Sequence, residues 1–436
     1  SAASDVYKRQ MVFRGRAALA AGLGSAATAF SGVGAVEAQA VDMFARDRGV
    51  SVTERPHPEY EALGSRLGAW LVYPKVQADF GYDSNVLAAE TEEISDAIIT
   101  LAPEVEFESD WARHSVTGFA RGRATRYVDN ESENTETWAL GAAGRFDVQR
   151  GRNLRGDFSL AREVEPRTAS NTPASIAEPI EFDRFSANVG STWSFNRLRL
   201  VGTAGVQLYD YQDGVSVSGV VVPQDTRDQT TTTASLRADY AVSPATAVFV
   251  QVEGNQRRFD NGDALTPLRD SDGVNLLAGA NFELGSLMRG DVGVGYIAQS
   301  FDNALYGNLE GFSGRARLEY FVTPLVTLGL NANRSVMDSG IVGSAGILSS
   351  RVEATADYEF RRNIIVEGRL GVLGEEFDTI DRDNDTYYAG VRATYLMNRS
   401  VGVTGSYAYE TRQSSGAAAI NDYGAHRLIL SLVLQY

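Results

Sequence analysis

The sequence predicts an all-β fold, a transmembrane antiparallel up-and-down β-barrel of about eighteen strands. Three observations predict it: two-residue alternation of apolar and polar side chains, a hairpin-sized repeat, and tyrosines that recur at one end of each hairpin. Composition alone does not decide, since 43% hydrophobic and 22% charged residues with a mean hydropathy of -0.20 also suit a soluble protein. Distribution does. Beyond the N-terminus no run of about eighteen apolar residues occurs, which leaves strands, where only every second residue meets lipid. Gly 43, Tyr 19 and Phe 19 suit strands and turns, and Cys 0 leaves no disulfide framework and no thiolate metal site. A formal charge of -16 lacks the positive footprint that phosphate binding needs, so nucleic acid is not an expected partner.

Residues 1–10 precede the first Met and read as a non-native leader. Residues 11–40 read as a signal peptide: Arg14 and Arg16, an Ala/Gly/Leu-rich core, then Ala38-Gln39-Ala40, with cleavage expected after Ala40. A buried helix is the alternative, and Gly22, Gly24, Gly32 and Gly34 make it a poor one. Residues 41–70 are polar, carry Pro56 and Pro58, and hold no period, as a periplasmic lead-in would. The barrel is expected over 71–436.

Within it, alternating runs reach Tyr240, Tyr320, Tyr358, Tyr395 and Tyr436, the last four about forty residues apart. After the first four come a short turn and a second alternating run. The opposite hairpin ends carry an aromatic close to Asp, as at Tyr82-Asp83, Tyr127, Tyr209-Asp210, Phe259-Asp260, Phe301-Asp302 and Phe377-Asp378. Nine polar loops are expected near 88–94, 130–134, 167–178, 213–226, 261–271, 304–309, 339–346, 380–384 and 414–424. Tight turns alternate with them near 110–113, 150–153, 196, 243–245, 286–290, 323, 361–363 and 398. Short turns facing long loops are the asymmetry of outer-membrane barrels, and nine loops give about eighteen strands.

Parity assigns the faces. Val326, Leu328, Leu330 and Ala332 alternate with Thr327, Gly329, Asn331 and Asn333. A soluble sandwich would turn the apolar face inward, but the tyrosines lie on that face, where a girdle would meet headgroups. Tyr240, Tyr320, Tyr358, Tyr395 and Tyr436 are therefore the expected girdle. The opposite parity gives pore-lining candidates Arg121, Arg123, Arg237, Arg315, Arg317, Arg351, Arg369 and Arg392, with Glu104, Glu106, Asp239, Glu319, Glu353, Asp357 and Glu367. A charge on the lipid face at the midplane would cost about 2–4 kcal/mol, so these point inward. Two readings of them stand: cross-strand ion pairs that stiffen the wall, or an arginine ladder for anionic or sugar-like solutes. Tyr127, Tyr209, Phe259, Phe301 and Phe377 share the inward parity near the outer mouth, unless a bulge turns them back.

The last segment, HRLILSLVLQY, puts Leu428, Leu430, Leu432, Leu434 and Tyr436 on one face, like the signal that outer-membrane proteins present to the barrel-assembly machinery. RPHPEYEALGSRLGAWLVYPKVQADFGYDSNV (55–86) and LAPEVEFESDWARH (101–114) resemble the front of the putative β-barrel porin 2 family of Gram-negative outer-membrane proteins, its alphaproteobacterial members above all. The resemblance is densest over residues 55–130. It implies the bacterial outer membrane, with lipid and lipopolysaccharide as neighbours. Some relatives are associated with exopolysaccharide systems, and the family brings no established catalytic or ligand residues.

Chemistry is sparse. His57, His114 and His426 pair locally with no nucleophile, so no enzyme and no cofactor is expected. Asp381-Arg382-Asp383-Asn384-Asp385 alternates like a calcium loop but lacks its glycine and has Arg392 where a bidentate Glu is needed, so no metal is expected and the segment reads as a solvated loop. The expected function is a porin-like passive channel for small hydrophilic solutes, anionic or saccharide. The alternatives are an exopolysaccharide export or surface-assembly component with periplasmic partners, and a structural barrel with a filled lumen.

Overall fold

The computed structural model describes residues 49–149, 151–170 and 176–436. The segments expected as a leader (1–10) and a signal peptide (11–40), and the first residues of the expected lead-in (41–70), lie outside them. From Trp70 onward the chain is a succession of long strands: β1 (Trp70–Asp83), β2 (Asp96–Ser109), β3 (Ser115–Tyr127), β4 (Thr135–Gln149), β5 (Arg152–Val164) and β6 (Glu181–Phe195). Then come β7 (Leu198–Tyr211), β8 (Gln229–Ser243), β9 (Thr246–Phe259), β10 (Ser271–Leu284), β11 (Met288–Phe301) and β12 (Leu309–Thr323). The last six are β13 (Val326–Asp338), β14 (Gly346–Arg361), β15 (Ile364–Phe377), β16 (Asp383–Leu396), β17 (Val401–Ser415) and β18 (Tyr423–Gln435).

Each strand pairs antiparallel with its sequence neighbours, and β1 pairs with β18 from Lys75–Gln435 to Asp83–Arg427, which closes the cylinder. Closure removes the edges that a bilayer cannot solvate. Eighteen strands enclose a lumen wide enough for water unless something fills it. The expected strand count and the alternation of turn and loop agree with this, the turns and loops to within a few residues.

The two rims differ. Nine connections, from 378–382 to the much longer 212–228, lie at one end, and eight short ones, such as 196–197 and 244–245, at the other. Gly151 and Gly285 take positive φ in the short turns, a backbone shape that a Cβ would strain. By this asymmetry the short-turn rim is periplasmic. The outward faces are apolar and bare: Leu428, Leu430, Leu432 and Leu434 are 40–58% exposed, an aggregation-prone row in water but a proper surface for lipid. Tyr240, Tyr320, Tyr358, Tyr395 and Tyr436 are exposed on that side at the periplasmic rim, and Trp138, Tyr296, Phe312, Tyr387 and Tyr407 are exposed nearer the outer rim.

The described register shifts, at Asp147/Gln149, Ala241/Ser243, Phe321/Thr323 and Glu359/Arg361, sit beside periplasmic turns. None intervenes near the outer rim, so inward parity is kept there. One junction departs from the pattern. The β12–β13 ladder ends at Arg315–Asn333, whereas β13 stays paired with β14 up to Asp338–Gly346.

Candidate functional site

The candidate site is the inner wall and the two mouths. In the periplasmic half of the wall between β7 and β12, Arg237 reaches Asp239 at 2.9 Å and Asp291 at 2.6 Å, Arg315 reaches Asp291 at 3.2 Å, and Arg199 reaches Asp239 at 3.2 Å. The Arg237 guanidinium also lies 3.7 Å over the Phe249 ring. That ring lies close to the wall because Gly293 leaves room for it; a Cβ there would come within 2.9 Å of it. The cluster gathers Arg199, Arg237 and Arg315 around Asp239 and Asp291, with Glu253 in the field of Arg315 and Asp239 buried beneath Arg199 and Arg237.

The other sequence candidates also lie on this inner face. Arg123 pairs with Asp79 at 3.6 Å, Glu104 with Lys75 at 2.5 Å, and Arg392 with Glu367 at 3.6 Å. Glu319 pairs with Arg289, and Glu353 accepts a hydrogen bond from the Tyr388 hydroxyl at 3.0 Å. Arg121 lies 5.2 Å from the Phe119 ring and stands opposite Glu104 in the ladder. Glu106, Arg317, Arg351, Asp357 and Arg369 share the inward parity of these neighbours. Most of the wall charges with assigned contacts are thus in cross-strand pairs. Asp79, Arg199, Phe249 and Asp291 were not picked out from the sequence. Parity alone could have found Asp291, whereas Phe249 sits in a run that is apolar on both faces.

The outer mouth is built by loops. Ile176, Ile180, Phe182 and Tyr211 form a buried cluster with Tyr209 and Val222 packed against it. It joins the third loop (165–180) to the fourth (212–228), and an Ile176–Ser216 bridge and the Gly214–Val215/Val221–Val222 pairing extend the join. Arg227 pairs with Glu165 at 2.6 Å, both buried, and its guanidinium stacks 4.1 Å over Tyr211. From β5–β6 this loop reaches the opposite wall. Arg382 donates to the Ser170 carbonyl at 2.7 Å, Arg412 to the Thr168 carbonyl at 3.3 Å, and Ser170 Oγ to Glu375 at 2.9 Å.

A stack of arginine on an inward aromatic recurs around this mouth: Arg269 on Phe259 at 4.4 Å, Arg382 on Phe377 at 4.2 Å and Arg412 on Tyr423 at 4.7 Å. Tyr127, Tyr209, Phe259, Phe301 and Phe377 keep the inward parity that the sequence gave as one of two options. The acidic segment is corrected in part: residues 383–385 open β16 and Arg382 and Asn384 are buried, while Asp381, Asp383 and Asp385 are exposed as expected. The cause of the burial is the loop opposite, which covers Arg382 and Asn384. Burial and the nearby Arg412 bring the Arg382 guanidinium down to about 10.

The periplasmic mouth is lined by the lead-in. The Val52 N–H donates to Thr327 Oγ1 at 3.1 Å, Glu54 pairs with Arg289 at 2.7 Å, and Arg55 pairs with Glu359 and bonds the Pro324 carbonyl. Farther along, the Pro58 carbonyl accepts from Arg399 and the Tyr60 carbonyl from Gln435. Ser65–Leu67 then pairs with Trp70–Val72. Residues 51–60 thus follow the inside of the rim from β11 round to β18. Burial holds His57 below its ordinary value against the opposing pull of Glu359.

A closed eighteen-strand cylinder with an apolar outside, a charged inside, short turns on one rim and long loops on the other is a porin-like barrel of the bacterial outer membrane. Its sequence matches the family described as putative beta-barrel porin 2 over residues 57–436. The chain belongs to that family. No curated protein matches it in sequence. Among solved structures it is similar to OpdK of Pseudomonas aeruginosa with vanillate, at 12% identity and a TM-score of 0.42, covering 84% of this chain and 99% of that one. It is also similar to OccK2 (OpdF) of the same organism, at 9% identity and a TM-score of 0.44, covering 84% and 98%. A third is the siderophore receptor PirA of Acinetobacter baumannii, at 8% identity and a TM-score of 0.47, covering 86% and 81%.

Proposed function

We propose that this porin-like barrel is a narrow passive channel for small hydrophilic solutes that favours anionic or saccharide-like ones. The carrying observation is the cluster in the periplasmic half of the wall, in which Arg199, Arg237 and Arg315 gather around Asp239 and Asp291 and the flat Phe249 ring lies under a guanidinium. Guanidiniums gathered on a narrow lumen wall lower the barrier for anions, and an aromatic face suits a sugar ring. Reversal potentials in a salt gradient across planar bilayers test it: the protein is expected to pass anions preferentially, and Arg237→Gln with Arg315→Gln to lose that preference. No conductance, or a selectivity untouched by the two substitutions, overturns it.

The cap across the outer mouth supports a second reading, a structural barrel with a filled lumen. Absence of conductance even after the cap is released would decide for that reading. Lipid and lipopolysaccharide would cover the apolar band, and β18 is the strand that the assembly machinery would take.

A further inference from the structure

The β12–β13 junction differs in kind from its neighbours. Leu309–Gly314 of β12 pair only with β11, and Arg334–Asp338 of β13 pair only with β14. Elsewhere the outer ends of paired strands fray by less. The edge that β13 withdraws has turned into the lumen. The Val336 carbonyl accepts from Arg257 of β9 at 2.7 Å, and Asp338 accepts from Gln229 of β8 at 3.3 Å and lies 3.6 Å from Arg269. Buried Ser339, Ser344, Ala345, Ile347 and Leu348 show that both arms of the β13–β14 hairpin pack inside at its end, with Val342 at the apex exposed.

Above the gap the wall is restored: the Gly307 N–H bonds the Asp378 carboxylate, so the loops 302–308 and 378–382 meet over the tucked hairpin. Below it lies the Arg315–Asn333 pair. The opening is bounded on every side. Its height is that of the outer aromatic belt, since Phe312 on its edge is paired with Tyr296 and both are exposed outward. On one side Phe312 faces out beside Glu310, which accepts from the Tyr296 hydroxyl, while Leu309 turns inward toward Gly346 of the hairpin. Opposite them Arg334 reaches Glu376 at 3.0 Å, while its Nε and Ser350 Oγ are buried without partners. An unpaired ladder edge and a guanidinium are poor company for hydrocarbon alone, and apolar side chains are poor company for a polar solute alone.

We propose that this gap is a lateral window between the lumen and the outer leaflet, used by an amphipathic molecule with a single hydrocarbon chain and an anionic head. The chain lies against Phe312 in the leaflet, and the head meets Arg334 and the free edge of β12. Arg257 is a positioning residue: by taking the Val336 carbonyl it holds the hairpin away from β12.

The absence of native cysteine allows a clean test in lipid vesicles. Phe312→Cys with Val336→Cys spans the window, and Leu318→Cys with Leu330→Cys spans a paired position of the same two strands. The paired control is expected to form a disulfide with a mild oxidant and the window pair to be joined only by a long bis-maleimide. Equal oxidation of the two pairs overturns the window. With doxyl-labelled stearate as probe, spin resonance is expected to show an immobilised component beyond that of doxyl-labelled phosphatidylcholine, lost in Arg334→Gln and after bis-maleimide bridging. Arg257→Ala is expected to lose it too and Arg257→Lys to keep part of it. Equal components for the two probes, or a stearate component indifferent to Arg334, overturn the amphiphile. Axial conductance is not involved in these readouts, so they fail or succeed separately from the proposed channel.

Discussion

The two mouths of this barrel are narrowed by different means. At the periplasmic rim the wall strands are joined by turns too short to fold inward, so the narrowing comes from a separate stretch of chain, residues 51–60, held by ion pairs and carbonyl contacts along the rim. At the outer rim the wall supplies its own cap. The third and fourth loops are long enough to cross the lumen, and they are fixed by a buried apolar cluster and a buried ion pair. A lining held by polar contacts exchanges readily, whereas a cap with its own core behaves as a small folded unit. The outer cap should therefore be the tighter constriction and the periplasmic strap the looser one.

The largest effect should follow from the buried Arg227–Glu165 pair. Arg227→Ala leaves a carboxylate buried without its partner, which costs about 3–5 kcal/mol, and the cap is expected to open. Conductance should rise several-fold and the 212–228 loop should become sensitive to added protease. Next comes the tether on the far wall. Arg382→Ala with Arg412→Ala removes the donors to Ser170 and Thr168 but spares the apolar cluster. Single-channel records should flicker between the native level and a higher one. A smaller change is expected from Glu359→Gln, which weakens the Arg55 anchor of the strap. Maleimide labelling of Val52→Cys should speed up while conductance rises by less than in the outer-mouth variants.

The smallest effect is one of pH, and the two mouths should respond with opposite sign. Asp228, at the base of the fourth loop, is pushed up to about 6 by burial, with Asp210, Asp225 and Asp260 nearby adding to it. The folded cap holds a proton that an open loop would release. Its contribution to the cap is therefore full below about pH 4 and is lost as pH rises through about 6. His57 is held below its ordinary value, so the released strap binds a proton more readily than the seated one, and seating weakens as pH falls below about 6.5. Hydrogen exchange should show the Tyr211 amide, which donates to Asp228, better protected at pH near 5 than near 7, with the Val52 amide less protected. Asp228→Asn and His57→Gln should each abolish one half of that pattern.

How much of this was legible in the sequence follows the same division. Wall strands obey a local rule, alternate residues on alternate faces, so their number, their turns and their inward charges can be read from parity. Tyr240, Tyr320, Tyr358 and Tyr395 marked hairpin ends because each closes such a run. The cap obeys no local rule. Arg227, Arg382 and Arg412 sit among polar residues and read as solvated. Their burial comes from segments distant in sequence, as with Arg382 beneath Ser170. The inward turn of the β13–β14 hairpin is equally silent, because alternation runs on through Arg334–Asp338 and only the partner of that edge changes from β12 to Arg257.

The central claim is that the third loop spans the outer mouth from one wall to the other, and a single channel tests it most directly. Ser170→Cys with Glu375→Cys replaces a 2.9 Å contact between the loop and the opposite wall by a reducible link. The account predicts that the link forms on mild oxidation, that the linked channel keeps a low, quiet conductance, and that a reductant added to the same bilayer produces upward steps. Failure of the two cysteines to join, or an identical conductance before and after reduction, would contradict it.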